Sequence, residues 1–190
     1  MPIAHVPIQR GPRTTLRPIE ARDELAFLAA AHESTALHAD WVAAPRDAAA
    51  FSAYVGRRGD TFLPLGLFDT TSHQILGVFN LSQIFMGPFC SAYLGYYAFA
   101  PHHGRGYMRE GMTLLLRLAF GHVGLHRVEA NIQPENTASI ALVQRTGFQR
   151  EGYSPGYLFI AGAWRDHERW AMRRELMGSV EQTASARHDP

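Results

Sequence analysis

A chain of 190 residues, 46% hydrophobic and 18% charged, is long enough to bury a core of its own without staples or metals, and a single domain over 1–176 is expected. A formal net charge of +1, with basic and acidic residues interspersed, argues against nucleic acid as a partner, because phosphate binding needs clustered Lys and Arg. One cysteine, Cys90, leaves no internal disulfide and suits a reducing compartment, and neither a secretory leader nor an apolar stretch of about 18 residues is read, so a cytoplasmic location away from membranes is expected.

The elements follow from period and punctuation. Thr14 to Arg17 reads as a short strand, and Asp23 to His32 as a helix with Leu25, Leu28 and Ala29 on its apolar side. A loop with Trp41 and Pro45 precedes a second helix, capped by Asp47 and running through Arg58, whose apolar face is Phe51, Tyr54 and Val55. Phe62 to Phe68, Ile75 to Ile84 and Cys90 to Phe99 then form three strands joined by short turns, which favours an antiparallel meander.

Helical spacing of Met108, Met112, Leu115, Leu116, Ala119 and Phe120 gives the strongest helix, closed by Gly121 and Gly124. Arg127 to Ile132 alternates as a strand, with Val128, Ala130 and Ile132 on one face. A helix from Thr137 to Thr146 ends at Gly147, and two strands follow around Gln149 to Ser154 and Asp166 to Arg173. The residues from 177 to 190 read as a polar, loose tail.

The segment from Ala98 to Met108 carries the clearest chemistry: a strand end, a loop with Gly104 and Gly106, and the start of the long helix. Glycines let the backbone approach a ligand, and the unpaired amides of a helix's first turn attract a phosphate or diphosphate. A tight turn with no ligand is the plainer reading of the same glycines, and the spacing fits neither a dinucleotide fingerprint nor a Walker loop. His102 and His103 stand without a spaced Cys, Asp or Glu, so no metal is expected.

That loop resembles the coenzyme A loop of the GNAT acetyltransferase superfamily. Leu125 to Asn131, Pro134-Glu135-Asn136-Thr137-Ala138-Ser139 and Thr146-Gly147-Phe148-Gln149-Arg150-Glu151-Gly152 are similar in order and spacing to the RimJ/RimL type of ribosomal-protein N-acetyltransferase, and Tyr157 to His167 looks specifically like RimJ. The resemblance implies an α/β (α+β) fold: a mixed, mostly antiparallel, splayed sheet of six or seven strands with about four flanking helices. Acetyl-CoA would be the co-substrate, lying between the strands Cys90–Phe99 and Arg127–Ile132.

By the same resemblance, the main chain of Ala98, Phe99 and Ala100 would pair with the pantetheine arm, and the amides of His103, Gly104, Arg105, Gly106, Tyr107 and Met108 would hold the diphosphate. Asn136 would touch the pantetheine and Ser139 would lie near the sulfur. The sequence departs from the wider pattern at Pro101, where Gln or Arg is common, and at Val143, where many relatives carry the tyrosine that protonates the thiolate, so that role falls to Ser139 or to water. Leu158 takes the place of the glutamate that serves as base in RimL-type relatives.

Candidate bases are therefore Glu129, Glu135 and Asp166, with an ion pair from Asp166 to Arg165 or Arg169 as the alternative for the last. Trp41, Tyr96 and Tyr157 could line the acceptor pocket, or pack as ordinary core. At pH 7 an α-amine costs about 1.1 kcal/mol to deprotonate and a lysine about 4.6 kcal/mol, so a weak base set favours a protein N-terminus as acceptor. A small amine such as an antibiotic, polyamine or metabolite is the alternative acceptor, and a non-catalytic acyl-CoA-binding module the second alternative. Monomer and homodimer both stay open.

Overall fold

The computed structural model describes residues 6–39, 41–100 and 102–178; Pro101 and the tail beyond residue 178 lie outside the described residues. One sheet carries β1 (Gln9–Arg10), β2 (Thr14–Pro18), β3 (Phe62–Asp69), β4 (Ile75–Phe85), β5 (Ser91–Ala98), β6 (Arg127–Ile132), β7 (Gln149–Ile160) and β8 (Ala163–Arg173) in the order β1-β2-β3-β4-β5-β6-β8-β7. Every neighbouring pair is antiparallel except β5 and β6. The expected meander is present as β3–β4–β5. Its first turn is fixed by the Asp69 carboxylate, which accepts from the amides of Thr71 at 2.9 Å and Ser72 at 2.8 Å.

The parallel pair follows from its connection. Strand β5 is joined to β6 by α4 (Tyr107–Arg117) and a π-helical continuation over Leu118–Val123, ended by Gly124 in the left-handed region, and a crossover of this length returns the chain parallel. Met112, Leu114, Leu115 and Leu116 of α4 are buried against the sheet, each worth about 1.5–3 kcal/mol. The helix can come this close because of Gly111: a methyl there would stand 2.7 Å from the Phe79 ring.

Helix α4, with α5 (Thr137–Arg145), covers one face of the sheet around Leu65, Leu67, Phe79 and Leu94. On the other face α1 (Glu24–Glu33), α2 (Thr35–His38) and α3 (Ala48–Gly56) cover Ile75, Val78 and Phe99 with Phe27, Phe51 and Tyr54. Asp47 caps α3 as expected, accepting from the Ala50 amide at 2.8 Å.

Four expectations are corrected. Among the described residues the sheet has eight strands, the addition being the two-residue β1, and the helices exceed four, the four-residue α2 and a helical stretch over residues 174–178 being additional. The buried side of α1 is Phe27 and Ala31, with Leu28 partly buried beside them as expected, whereas Ala29 is exposed and Leu25 is 83% exposed. Strands β7 and β8 each run well past their expected limits and make a long hairpin, of which β6 pairs only with Glu168 to Arg173 of β8.

Candidate active site

The sheet opens between β5 and β6. Their parallel pairing matches Ser91 with Arg127, Ala92 with Val128 and Tyr93 with Glu129, and goes no further, although β5 continues to Ala98 and β6 to Ile132. Main-chain direction on β5 is set by Phe99, whose amide donates to the Leu76 carbonyl at 2.8 Å. Bonding direction alternates along a strand, so the main-chain groups of Tyr96 and Ala98 turn away from β4 and into the gap.

The three positions expected to offer main chain to a ligand differ in what remains to offer. Phe99 is bonded to Leu76, and the Ala100 amide donates to Ser34 Oγ at 2.9 Å. The Ala98 carbonyl accepts from Nε2 of buried His38 at 2.8 Å, which leaves its amide on the gap. Burial holds the His38 imidazole below its ordinary pKa, so the ring stays neutral with its proton on Nε2. On β5 it is thus Tyr96 and Ala98, rather than Phe99, whose main chain faces the gap. Ser34 and His38 went unnoticed in the sequence, although Asp23, Phe27, Ala31, Ser34 and His38 form one buried stripe at helical spacing.

Beyond Ala98 the chain enters the glycine loop. Gly104 and Gly106 have φ of 75° and 80°, a region that other residues reach only with strain, and His103 to Gly106 are exposed. Gly106 is the N-cap of α4 and brings no side chain to it, so the first amides of that helix face outward. A cation flanks the loop. Arg13 donates from Nε to Glu110 at 3.2 Å and from a terminal nitrogen to the Arg105 carbonyl at 3.4 Å, and its guanidinium lies 4.7 Å from the Tyr107 ring centre. Burial raises the Glu110 carboxyl, but hydrogen bonds from Arg13 and Thr14 outweigh it and hold the group below the ordinary range.

Of the nominated carboxylates, Glu129 lies at the closed end of the gap, whereas Asp166 and Glu135 lie past the far end of β6. Glu129 accepts from Arg127 at 2.7 Å, and the same guanidinium holds Glu151 of β7. Asp166 makes no ion pair with Arg165 or Arg169: it accepts from the Tyr153 hydroxyl and from the Gly156 amide at 2.7 Å, and these bonds hold its pKa below the usual value. The carboxylate thereby pins the irregular stretch of β7 between Ser154 and Leu158. Glu135 is exposed in the turn before α5.

Asn136 caps α5 by accepting from the Ser139 amide at 3.1 Å. Ser139 Oγ lies 2.5 Å from the Tyr96 hydroxyl, which joins the two sides of the gap, whereas Tyr96 had been grouped with the acceptor pocket. Tyr157 is hydrogen-bonded to Tyr93, and that bond with burial pushes the Tyr93 phenol up to about 12. Trp41 is half-buried just after α2 and donates its amide to the His38 carbonyl at 2.8 Å. A cleft of about 680 Å³ lies between the chain at 42–47 and α3, lined by Val42, Arg46 and Tyr54 but by none of Trp41, Tyr96 and Tyr157. On β6, beyond the last pair, Asn131 Oδ1 is buried with no partner among the described residues.

Residues 13–149 match the family model described as an acetyltransferase (GNAT) domain. The chain belongs to the GNAT acetyltransferase family. Among its curated relatives, the [ribosomal protein uS5]-alanine N-acetyltransferase of Escherichia coli is 40% identical over 111 residues, 58% of this chain and 57% of that protein, so the chain spans little more than half of the length of this relative. The structure of Mycobacterium smegmatis RimJ in complex with CoA-disulfide superposes with a TM-score of 0.83 at 25% identity, covering 95% of this chain and 93% of that one. More distant is the spermidine N(1)-acetyltransferase of Vibrio cholerae, 29% identical over 36% of this chain and 39% of that protein. The family model and these relatives are alike named for acetyl transfer.

Proposed function

We propose that this acetyltransferase takes the acetyl group from acetyl-CoA and places it on the α-amine of a protein N-terminus. The gap and its loop fit the co-substrate: outward-facing amides of α4 with Arg13 beside them suit a diphosphate, and the main chain of Tyr96 and the Ala98 amide suit an extended amide-bearing arm. Acetyl-CoA supplies an activated acyl group. The residues of this chain orient that group between β5 and β6 and accept the amine from the face that carries Tyr93, Glu129 and Tyr157.

The observation that carries the choice of acceptor is the state of the carboxylates. Glu129 is occupied by its ion pair with Arg127, and Asp166 is held by Tyr153 and Gly156 with its pKa lowered, which makes Asp166 a weak base. An α-amine, about 14% neutral at pH 7, can lose its proton to water or to such a base, whereas an amine of pKa about 10.4 needs about 3.5 kcal/mol more help. The relatives that act on a ribosomal-protein alanine support the same choice, and the spermidine relative supports the second reading, a small amine.

Thioester consumption by the full chain separates the two. Peptides beginning with Ala or Ser are expected to turn over at least about tenfold faster than spermidine or than the same peptides with a blocked terminus and an internal lysine. Preference for spermidine or for the internal lysine would overturn the assignment.

A further inference from the structure

Tyr96 and Ser139 face one another across the gap, one on β5 and the other on the first turn of α5, 43 residues apart in sequence. On the acetyl-CoA reading, an acyl arm descending from the glycine loop past Ala98 and Tyr96 would reach this hydroxyl pair before the point at Tyr93 and Glu129 where the strands close. The pair holds two hydroxyl hydrogens. The Tyr96 hydroxyl lies 2.5 Å from Ser139 Oγ and 3.2 Å from the Ser139 carbonyl, so its single hydrogen has two acceptors to choose from. Given to the carbonyl, it would leave the serine hydrogen bound to the phenol oxygen. Given to Oγ, along the shorter contact and from the more acidic of the two hydroxyls, it leaves the serine hydrogen unused.

We propose that Tyr96 is a positioning residue that spends its hydrogen on Ser139 Oγ, so that the Ser139 hydrogen points into the gap and donates to the departing sulfur of coenzyme A. This rests on the acetyl-CoA reading of the gap. Burial keeps the Tyr96 phenol protonated at every working pH, and its ring is fixed against Phe79 at a centroid distance of 6.0 Å.

No proton need cross to sulfur. A thiol of pKa near 8.5 is a far stronger acid than an aliphatic hydroxyl, so Ser139 stabilises the thiolate by a charge-assisted hydrogen bond and keeps its hydrogen. As the amine nitrogen bonds to the acyl carbon, the carbon–sulfur bond breaks and its electron pair leaves with sulfur. The amine's surplus proton goes to water, and the thiolate later takes one from water.

The test needs no acceptor. The thiol of coenzyme A bound to the full chain is titrated by its ultraviolet thiolate absorbance, with wild type, Tyr96→Phe, Ser139→Ala and the double variant, alongside calorimetric affinity and circular dichroism. The bound thiol is expected to titrate about one pH unit higher in each single variant, a tenfold loss of thiolate preference, and no higher in the double variant. Acetyl transfer should lose kcat about tenfold with KM for acetyl-CoA unchanged. A Tyr96→Phe titration that coincides with wild type, effects that add in the double variant, or a wild type that fails to bind coenzyme A overturns the proposal. Ordered titration shifts in a wild type that acetylates no N-terminal peptide would overturn the acceptor assignment and leave the hydroxyl pair standing.

Discussion

Arg13 shows what a single residue adds that local spacing hides. The glycine loop carries Pro101 where a side-chain donor is common among relatives, which left main-chain amides to hold a diphosphate by themselves. In the folded chain Arg13 comes from the turn between β1 and β2, 97 positions before its partner Glu110, and lies along that loop. Its side chain is half exposed and shares its charge with Glu110, so under the proposed function its share of diphosphate binding should be modest. Arg13→Ala should weaken CoA binding about tenfold by calorimetry, with a shallower salt dependence, and Arg13→Lys should recover part of the loss, since it keeps the charge without the planar contact on Tyr107. An unchanged affinity would return the diphosphate to the amides alone. The glycines of the loop were legible because their chemistry is local; Arg13 and the Tyr96–Ser139 contact were not, because each depends on which distant elements the sheet brings together.

Elements were legible wherever one face is buried and the other is not. Strand β6 shows clean alternation, and α4 has a sharp apolar side. The β7–β8 hairpin was read short because Leu158, Phe159 and Trp164 near its tip are exposed, so no period of two separates core from solvent. Helix α1 misled for another reason: its alanine-rich sequence gives little contrast between sides, and the buried side is anchored from outside the helix. Asp23, just ahead of α1, accepts two hydrogen bonds of 2.7 Å from Arg17 and one of 2.9 Å from the Glu20 amide. Burial pushes the Asp23 carboxyl up, but the Arg17 and Glu20 bonds prevail and its pKa in the folded chain is lowered. A lowered folded pKa means that the unfolded chain binds the proton first, so this stabilisation is complete above the unfolded value and fades as pH falls through the folded one. Asp23→Asn should therefore cost about 2 kcal/mol in urea unfolding at pH 7, and the difference from wild type should shrink toward about pH 3. A cost that is constant with pH would mean that the carboxylate's charge has no part in anchoring α1.

At the scale of the whole sheet, the described strands divide into two plates that meet along a short line of pairing. β1 to β5 are clamped between α4 and the α1–α3 layer, β6 to β8 form the other plate, and between the plates only three residue pairs of β5 and β6 are in register. Such a gap leaves main-chain donors and acceptors of β5 without a strand partner, a cost that a ligand with amides of its own can remove. Binding coenzyme A should then stabilise the fold by about 2.7 kcal/mol at a hundredfold excess over Kd, raising Tm by about 5–11 °C. Hydrogen exchange locates the effect. The amides of Tyr96 and Ala98 should gain protection on adding coenzyme A, while those of Phe99 and Ala100, already donated to Leu76 and Ser34, should change little. Protection that instead rises at Phe99 and Ala100 would mean that the ligand displaces Leu76 and Ser34, and that the gap is not the ready-made groove its strand pairing describes.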